Sequence, residues 1–196
     1  MRHFAIPSLS VILFVVPIAR SSELLVAQPA SKLWIEGTST LKAFTCRAPE
    51  FTLKVNADGS GAVAAVLAGR RAVRTTELTI PSARLDCNNA TMNEYMLKAI
   101  KANEHAAIRF SLTDYDVAAN SKGAEGMVRG TLSLGGVEHP VAGAAVATDA
   151  GNGAVRIAGS YEIALSAFDL TAPTLMYGSI KVGDKVQVKF DMVLKN

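Results

Sequence analysis

The sequence is poor in the features that announce an enzyme or a nucleic-acid binder. Its 196 residues include two cysteines, Cys46 and Cys87, and no C-x-x-C. Of three histidines, His105 and His139 are not spaced as a ligand pair, so no metal site is expected. No G-x-S-x-G marks a nucleophile, and Gly151-x-Gly153 lacks the third glycine of a dinucleotide fingerprint. Asp86, Asp114, Asp116, Asp149, Asp169 and Asp184 are scattered, with no spacing that pairs an acid with a base. Basic residues never run beyond the pair Arg70-Arg71, too few to track a phosphate backbone. Together these absences predict no catalytic residues, no cofactor, no metal and no nucleic-acid partner. Aromatic residues make up only 6%, too few for the two girdles of an outer-membrane barrel.

What is present is apolar. Hydrophobic residues reach 49%, charged residues 19%, and mean hydropathy is +0.25, too apolar for a disordered chain. The start accounts for part of this. Met1-Arg2-His3 is short and basic, and Phe4 to Ala19 is apolar apart from two serines and two prolines. Ala19-Arg20-Ser21 then offers a small-x-small triplet, the layout of a secretory signal peptide. The apolar run is shorter than the ~20 residues of a spanning helix, although an uncleaved anchor is the alternative. Cleavage is expected after Ser21, with Leu25-Val26-Ala27 as a second candidate. It would remove Arg2 and Arg20 and no acid, leaving 18 basic against 17 acidic residues, a net +1. The reading is therefore 1–21 signal peptide, 22–31 lead-in and 32–196 one exported domain. An even cysteine count in an exported chain predicts a Cys46–Cys87 disulfide, against the alternative of two buried thiols.

Beyond residue 31 the dominant period is two. Lys185 to Met192 alternates polar and apolar without a fault. Ile108, Phe110 and Leu112 alternate with Arg109, Ser111 and Thr113, and Val155 to Ile163 does the same. Such alternation marks strands with one wet and one dry face. Strands are expected near 32–44, 50–56, 62–70, 72–82, 106–117, 125–134, 137–148, 153–166 and 185–195. Turns separate them, among them Gly135-Gly136, read as a tight hairpin, and Val182-Gly183-Asp184. Met92, Tyr95, Met96 and Ala99 break the pattern at helical spacing, predicting one helix at about 92–102, capped by Asn89 or Thr91. The fold class is all-β, a sandwich or an antiparallel barrel of about eight strands. Periodicity alone leaves open whether the dry face packs solid or encloses a cavity. Gly130 and Gly159 on that face, with Met127, Met176 and Met192, point toward room inside.

Several pieces in order resemble the YceI-like family of periplasmic polyisoprenoid-binding proteins. They are Trp34-Ile35-Glu36-Gly37-Thr38-Ser39-Thr40-Leu41-Lys42-Ala43-Phe44-Thr45-Cys46, Leu78-Thr79-Ile80-Pro81 through Leu85-Asp86-Cys87, and Met92 to Lys101 followed by Ile108-Arg109-Phe110. Gly130 to Val137 with Pro140-Val141, and Val182 to Val186, complete the set. The resemblance spans roughly 32–195. It implies a lipocalin-like eight-stranded barrel whose lumen holds a long isoprenoid chain, of a quinone or a polyprenyl lipid. The lumen would be lined by Ile108, Phe110, Leu112, Val128, Leu132, Leu134, Tyr161, Val188, Phe190 and Met192. Lys42-Ala43 stands where related chains often have His-Asp, and His105-Ala106-Ala107 where many have an aromatic and a proline. Both departures bear on polar contacts at the mouth. The expected role is non-enzymatic binding and carriage of an apolar lipid, with a packed barrel acting as a structural or stress-related interaction module as the alternative. Oligomeric state, including a homodimer, stays open.

Overall fold

The computed structural model describes residues 22–196. The expected signal peptide, 1–21, lies outside the described residues. The alternating segments form strands β1 (Ser22–Ala27), β2 (Lys32–Ser39), β3 (Ala43–Arg47), β4 (Thr52–Asp58), β5 (Val73–Pro81) and β6 (Ala107–Tyr115). They continue as β7 (Ala118–Asn120), β8 (Gly123–Leu134), β9 (Val137–Gly151), β10 (Ala154–Ala164), β11 (Thr174–Leu175) and β12 (Ile180–Lys195).

Eight long strands make the ring. β1 and β2 are two halves of one strand, and β3 and β4 are two halves of the next. Their hairpin pairs Thr38 with Ala43 and Trp34 with Arg47, then resumes at Val26 with Lys54 and runs to Ser22 with Asp58. Each strand then pairs antiparallel with its successor: β4–β5, β5–β6, β6–β8, β8–β9, β9–β10 and β10–β12. The ring closes where β12 meets β2, with Phe190 opposite Leu33, and β1, with Lys195 opposite Val26. Closure removes the unpaired edges that an open sheet would present. At the β8–β9 corner Gly135 and Gly136 have φ of 59° and 86°, the two left-handed residues that a two-residue hairpin requires.

The two ends of the barrel differ. Helix α1 (Ala62–Leu67) packs against β8, β9 and β10 and buries Ala62 and Val66, closing one end. Glu23 Oε2 accepts from the Ala62 N–H at 3.1 Å and ties the helix to β1. Helix α2 (Ala90–Ala99) sits at the other end, between β5 and β6. It starts at Asn89, whose side chain accepts from the Met92 N–H at 2.9 Å. On the outer face, charges pair across neighbouring strands, as in Lys189–Glu36 at 2.7 Å, Lys185–Glu162 at 2.8 Å and Arg156–Asp191.

Four local expectations change. Residues 62–70, expected as a strand, contain α1, because Ala62 and Val66 bury one helical face and alanine favours a helix. The lead-in at 22–31 contains β1, which carries the fully buried Leu25. Val182-Gly183-Asp184 is not a turn but a bulge inside β12, where the register against β2 shifts between Val182 and Val186. Gly130 and Gly159 do not leave empty wall. A Cβ at Gly130 would strike the Phe110 ring at 2.2 Å, and one at Gly159 the Phe190 ring at 2.6 Å. Both rings lie against the glycines of neighbouring strands.

Candidate functional site

Inside the ring the dry faces do not fill the space. A cavity of about 430 Å³ opens at the α2 end, and a second of about 160 Å³ lies beyond it toward α1. The first is the mouth chamber and the second the inner chamber. Leu33, Leu78, Phe110 and Tyr161 line both, so these four residues form a waist between them. The floor beyond is the buried cluster that includes Leu25, Ala57, Ala62, Val66, Ala124 and Val155.

The mouth is marked by lining residues that also face solvent. Leu41 is 69% exposed and Tyr95 is 38% exposed, and both line the mouth chamber beside Lys42 and Thr91. The β2–β3 turn that carries Leu41 is tied across the rim: the Thr40 N–H donates to the Lys181 carbonyl at 3.0 Å. The Thr40 hydroxyl donates to the Ser179 carbonyl at 3.2 Å. Met176, 70% exposed, and Tyr177, fully exposed, follow in the same segment with left-handed φ of 51° and 54°.

A covalent bond holds the opposite rim. Cys46 on β3 and Cys87 before α2 form a disulfide, and both line the mouth chamber. The backbone is joined alongside it: the Arg47 N–H donates to the Asp86 carbonyl at 2.7 Å, and the Asp86 N–H returns to the Arg47 carbonyl at 2.9 Å. Asn93 of α2 clamps the same segment. Its Oδ1 accepts from the Cys87 N–H at 2.7 Å and its Nδ2 donates to Asp86 Oδ1 at 2.8 Å. That bond and the Asn88 N–H, 2.9 Å away, hold the Asp86 carboxyl below the usual carboxylate range.

All ten residues assigned to the lumen from the sequence lie on cavity wall. Ile108, Leu132, Leu134 and Val188 line the mouth chamber. Leu112, Val128, Phe190 and Met192 line the inner one, and Phe110 and Tyr161 line both. Reading strand by strand missed others with the same signal. Leu33 and Ile35 alternate with Trp34 and Glu36; Trp34 Nε1 donates to Glu36 Oε1 at 2.8 Å, and Trp34 also borders the mouth chamber. Leu78 and Ile80 alternate in the same way on β5. Tyr115 was hidden by a register shift between Leu112 and Asp114, which moves the inward phase of β6 from even to odd positions. Met127 and Met176, read as part of the dry face, are instead exposed. Met127 is out of phase with its inward neighbour Val128, and Met176 belongs to the rim segment.

The electrostatics are those of hydrocarbon. Among the described residues no Asp, Glu, His, Lys or Arg lines the inner chamber, and Lys42 at the rim is the one charged residue on the mouth chamber. Among the described residues no three His, Cys, Asp or Glu side chains gather as a metal site would need. His139 lines neither chamber and packs against Phe168, with ring centroids 5.6 Å apart. His105 packs beside the Gly135–Gly136 turn. Thr76, Tyr115 and Tyr161 bring hydroxyl-bearing side chains to the inner chamber, and of these the Tyr161 phenol is shifted. Burial alone pushes it up to about 12, and it stays a neutral hydroxyl.

With this geometry, the chain matches a family model described as the YceI-like domain over residues 32–194. No curated protein matches it. Solved structures share the fold, three of them as follows. BcnA of Burkholderia cenocepacia is 20% identical, with a TM-score of 0.66 over 85% of this chain and 98% of that one. A polyisoprenoid binding domain from Saccharophagus degradans, implicated in plant cell wall breakdown, is 13% identical, with a TM-score of 0.58 over 88% and 97%. The YceI protein of Campylobacter jejuni is 17% identical, with a TM-score of 0.54 over 76% and 82%.

Proposed function

The chain belongs to the YceI-like domain family, and on that footing we propose that it binds and carries a long apolar lipid of isoprenoid type in its lumen. The cargo is a quinone or a polyprenyl lipid, and the place is the periplasm. The export layout of residues 1–21 and the Cys46–Cys87 disulfide support that location. The observation that carries the reading is the lumen itself: two apolar chambers in line, open at the α2 end and closed by α1 at the other. A long, thin, apolar molecule suits such a space better than a compact one.

The mechanism is burial. Each methylene taken out of water contributes about 0.8 kcal/mol. Association costs at least about 4 kcal/mol, so several isoprene units are needed before binding is tight. The reading is a binder and not an enzyme, because the chamber walls present no converging acid, base and nucleophile. A packed barrel serving as an interaction module would need a filled core, and the chambers count against it.

The test is uptake. Protein stripped of lipid and mixed with an isoprenoid quinone is expected to give a one-to-one adduct in native mass spectra. Spectra that hold only the bare chain at every quinone concentration would refute the reading.

A further inference from the structure

Exposure of large apolar side chains is concentrated at one end of the barrel. Among the described residues the three most exposed are Tyr177, Met176 at 70% and Leu41 at 69%. All three stand at the mouth. Leu41 lies in the β2–β3 turn and borders the mouth chamber. Met176 and Tyr177 stand between the lining residues Leu175 and Ile180. The two loops are held together, because the Lys181 N–H donates to the Thr40 hydroxyl at 3.2 Å, besides the bonds from Thr40 to the Ser179 and Lys181 carbonyls. Tyr95 on α2 is half-exposed and borders the same opening.

Folding alone gives no reason for these residues. Met176 and Tyr177 have the left-handed φ that bulky side chains rarely adopt, and glycine or asparagine would take it with less strain. Charge at this rim has one sign. Lys42 follows Leu41 and Lys181 follows Ile180, and both are exposed. No acid occurs from residue 37 to 49 or from 170 to 183. The next acid, Asp184, is held by the N–H and hydroxyl of Ser166. On α2, Glu94 is outnumbered by Lys98 and, just beyond the helix, Lys101. Apolar tips flanked by lysines suit the surface of a bilayer that carries anionic lipid. Tyrosine settles at the headgroup boundary, leucine and methionine enter it, and lysines reach the phosphates. A protein partner fits less well, since its interface needs a continuous packed apolar core, and here the apolar side chains stand on separate tips around a hole.

We propose that the mouth docks on an anionic lipid bilayer. Leu41, Met176 and Tyr177 enter the headgroup boundary, and Lys42 and Lys181 lie against the lipid phosphates. The opening then faces the hydrocarbon, and cargo passes between lumen and bilayer without crossing water. That passage rests on the lipid-binding reading above, and the docking itself does not.

The test is sedimentation of the full exported chain, stripped of lipid, with vesicles of phosphatidylcholine alone or in equal parts with phosphatidylglycerol. Native protein is expected to bind the mixed vesicles and to lose at least about fivefold in affinity when phosphatidylglycerol is left out. Met176→Asn with Tyr177→Asn removes two apolar tips and keeps residues suited to the left-handed backbone. This double variant is expected to bind the mixed vesicles at least about tenfold more weakly, with Tm unchanged. Lys181→Gln is expected to cost about fivefold at low salt, a difference that closes at high salt. None of these three side chains borders a chamber, so quinone uptake by the variants is expected to stay within about twofold of native. The comparison of the two vesicle types on native protein stands even if a variant fails to fold. Native protein that leaves both kinds of vesicle untouched would overturn the proposal and leave the rim to a protein partner. Variants that bind as tightly as native protein would overturn it too. Vesicle binding without quinone uptake would refute the cargo and keep the docking face, and quinone uptake without vesicle binding would do the reverse.

Discussion

Replacing Cys46 and Cys87 with alanine is expected to lower stability by about 4 kcal/mol. The bond closes a loop of 41 residues, and in the chain-entropy account a loop of that length contributes about this much by restricting the unfolded chain. The total stability of a domain is only about 5–15 kcal/mol, so the loss is a large share. For a chain of this size it corresponds to a fall in Tm of roughly 8–16 °C. The location adds a functional consequence. The disulfide joins β3 to the segment entering α2, and Cys87 Sγ lies 3.5 Å from Met96 Sδ on that helix. Asn93 and Asp86 provide a second, non-covalent tie, so α2 is expected to stay docked while the mouth becomes more mobile. Chemical denaturation of the double variant checks the stability, and quinone exchange rates check the mouth. A loss below about 1 kcal/mol would show that the hydrogen bonds around Asp86 and Asn93 already fix this rim without the covalent bond.

Leu78→Trp is expected to weaken binding of a long isoprenoid about 100-fold while leaving the barrel folded. Leu78 sits on β5 opposite Leu53 and Phe110, in the waist. A larger ring there fills the passage and cuts the inner chamber off from the mouth. The ligand loses the part that reached the inner chamber. Three or four methylenes at about 0.8 kcal/mol each amount to about 3 kcal/mol, which is about 100-fold in affinity. Overpacking usually costs about 1–3 kcal/mol in a filled core, but here the added atoms enter open space. The folded state is checked by near-ultraviolet circular dichroism, and affinity by titration with the quinone. Unchanged affinity in a folded variant would mean that the ligand occupies the mouth chamber alone.

Much of the barrel is legible in one dimension because each long strand divides its residues between two environments. Lys185 to Met192 alternates so strictly that its inward set, Val186, Val188, Phe190 and Met192, follows without knowledge of any neighbour. The Gly135–Gly136 hairpin and the Asn89 cap are equally local, since each depends on residues within a turn of itself. What escapes the sequence is what depends on partners. Ala62 to Leu67 is apolar at nearly every position, so no alternation separates a strand from a helix, and packing across β8, β9 and β10 decides. Tyr115 changes face because of a bulge that exists only in relation to β8. The open lumen is the largest example. A solid core and a hollow one need the same inward apolar residues, and only their summed volume around the ring distinguishes them. Here the Phe110 and Phe190 rings lie against Gly130 and Gly159. β9 contributes Gly143, Ala145 and Ala147 to its inner face, where larger residues would fill the space. The waist between the chambers belongs to the same category.

The most direct measurement is mass spectrometry of the lipid extracted from protein purified out of the cells that make it. The account predicts a long isoprenoid lipid, recovered in an amount approaching one per chain. Protein that yields no apolar molecule on extraction would contradict it.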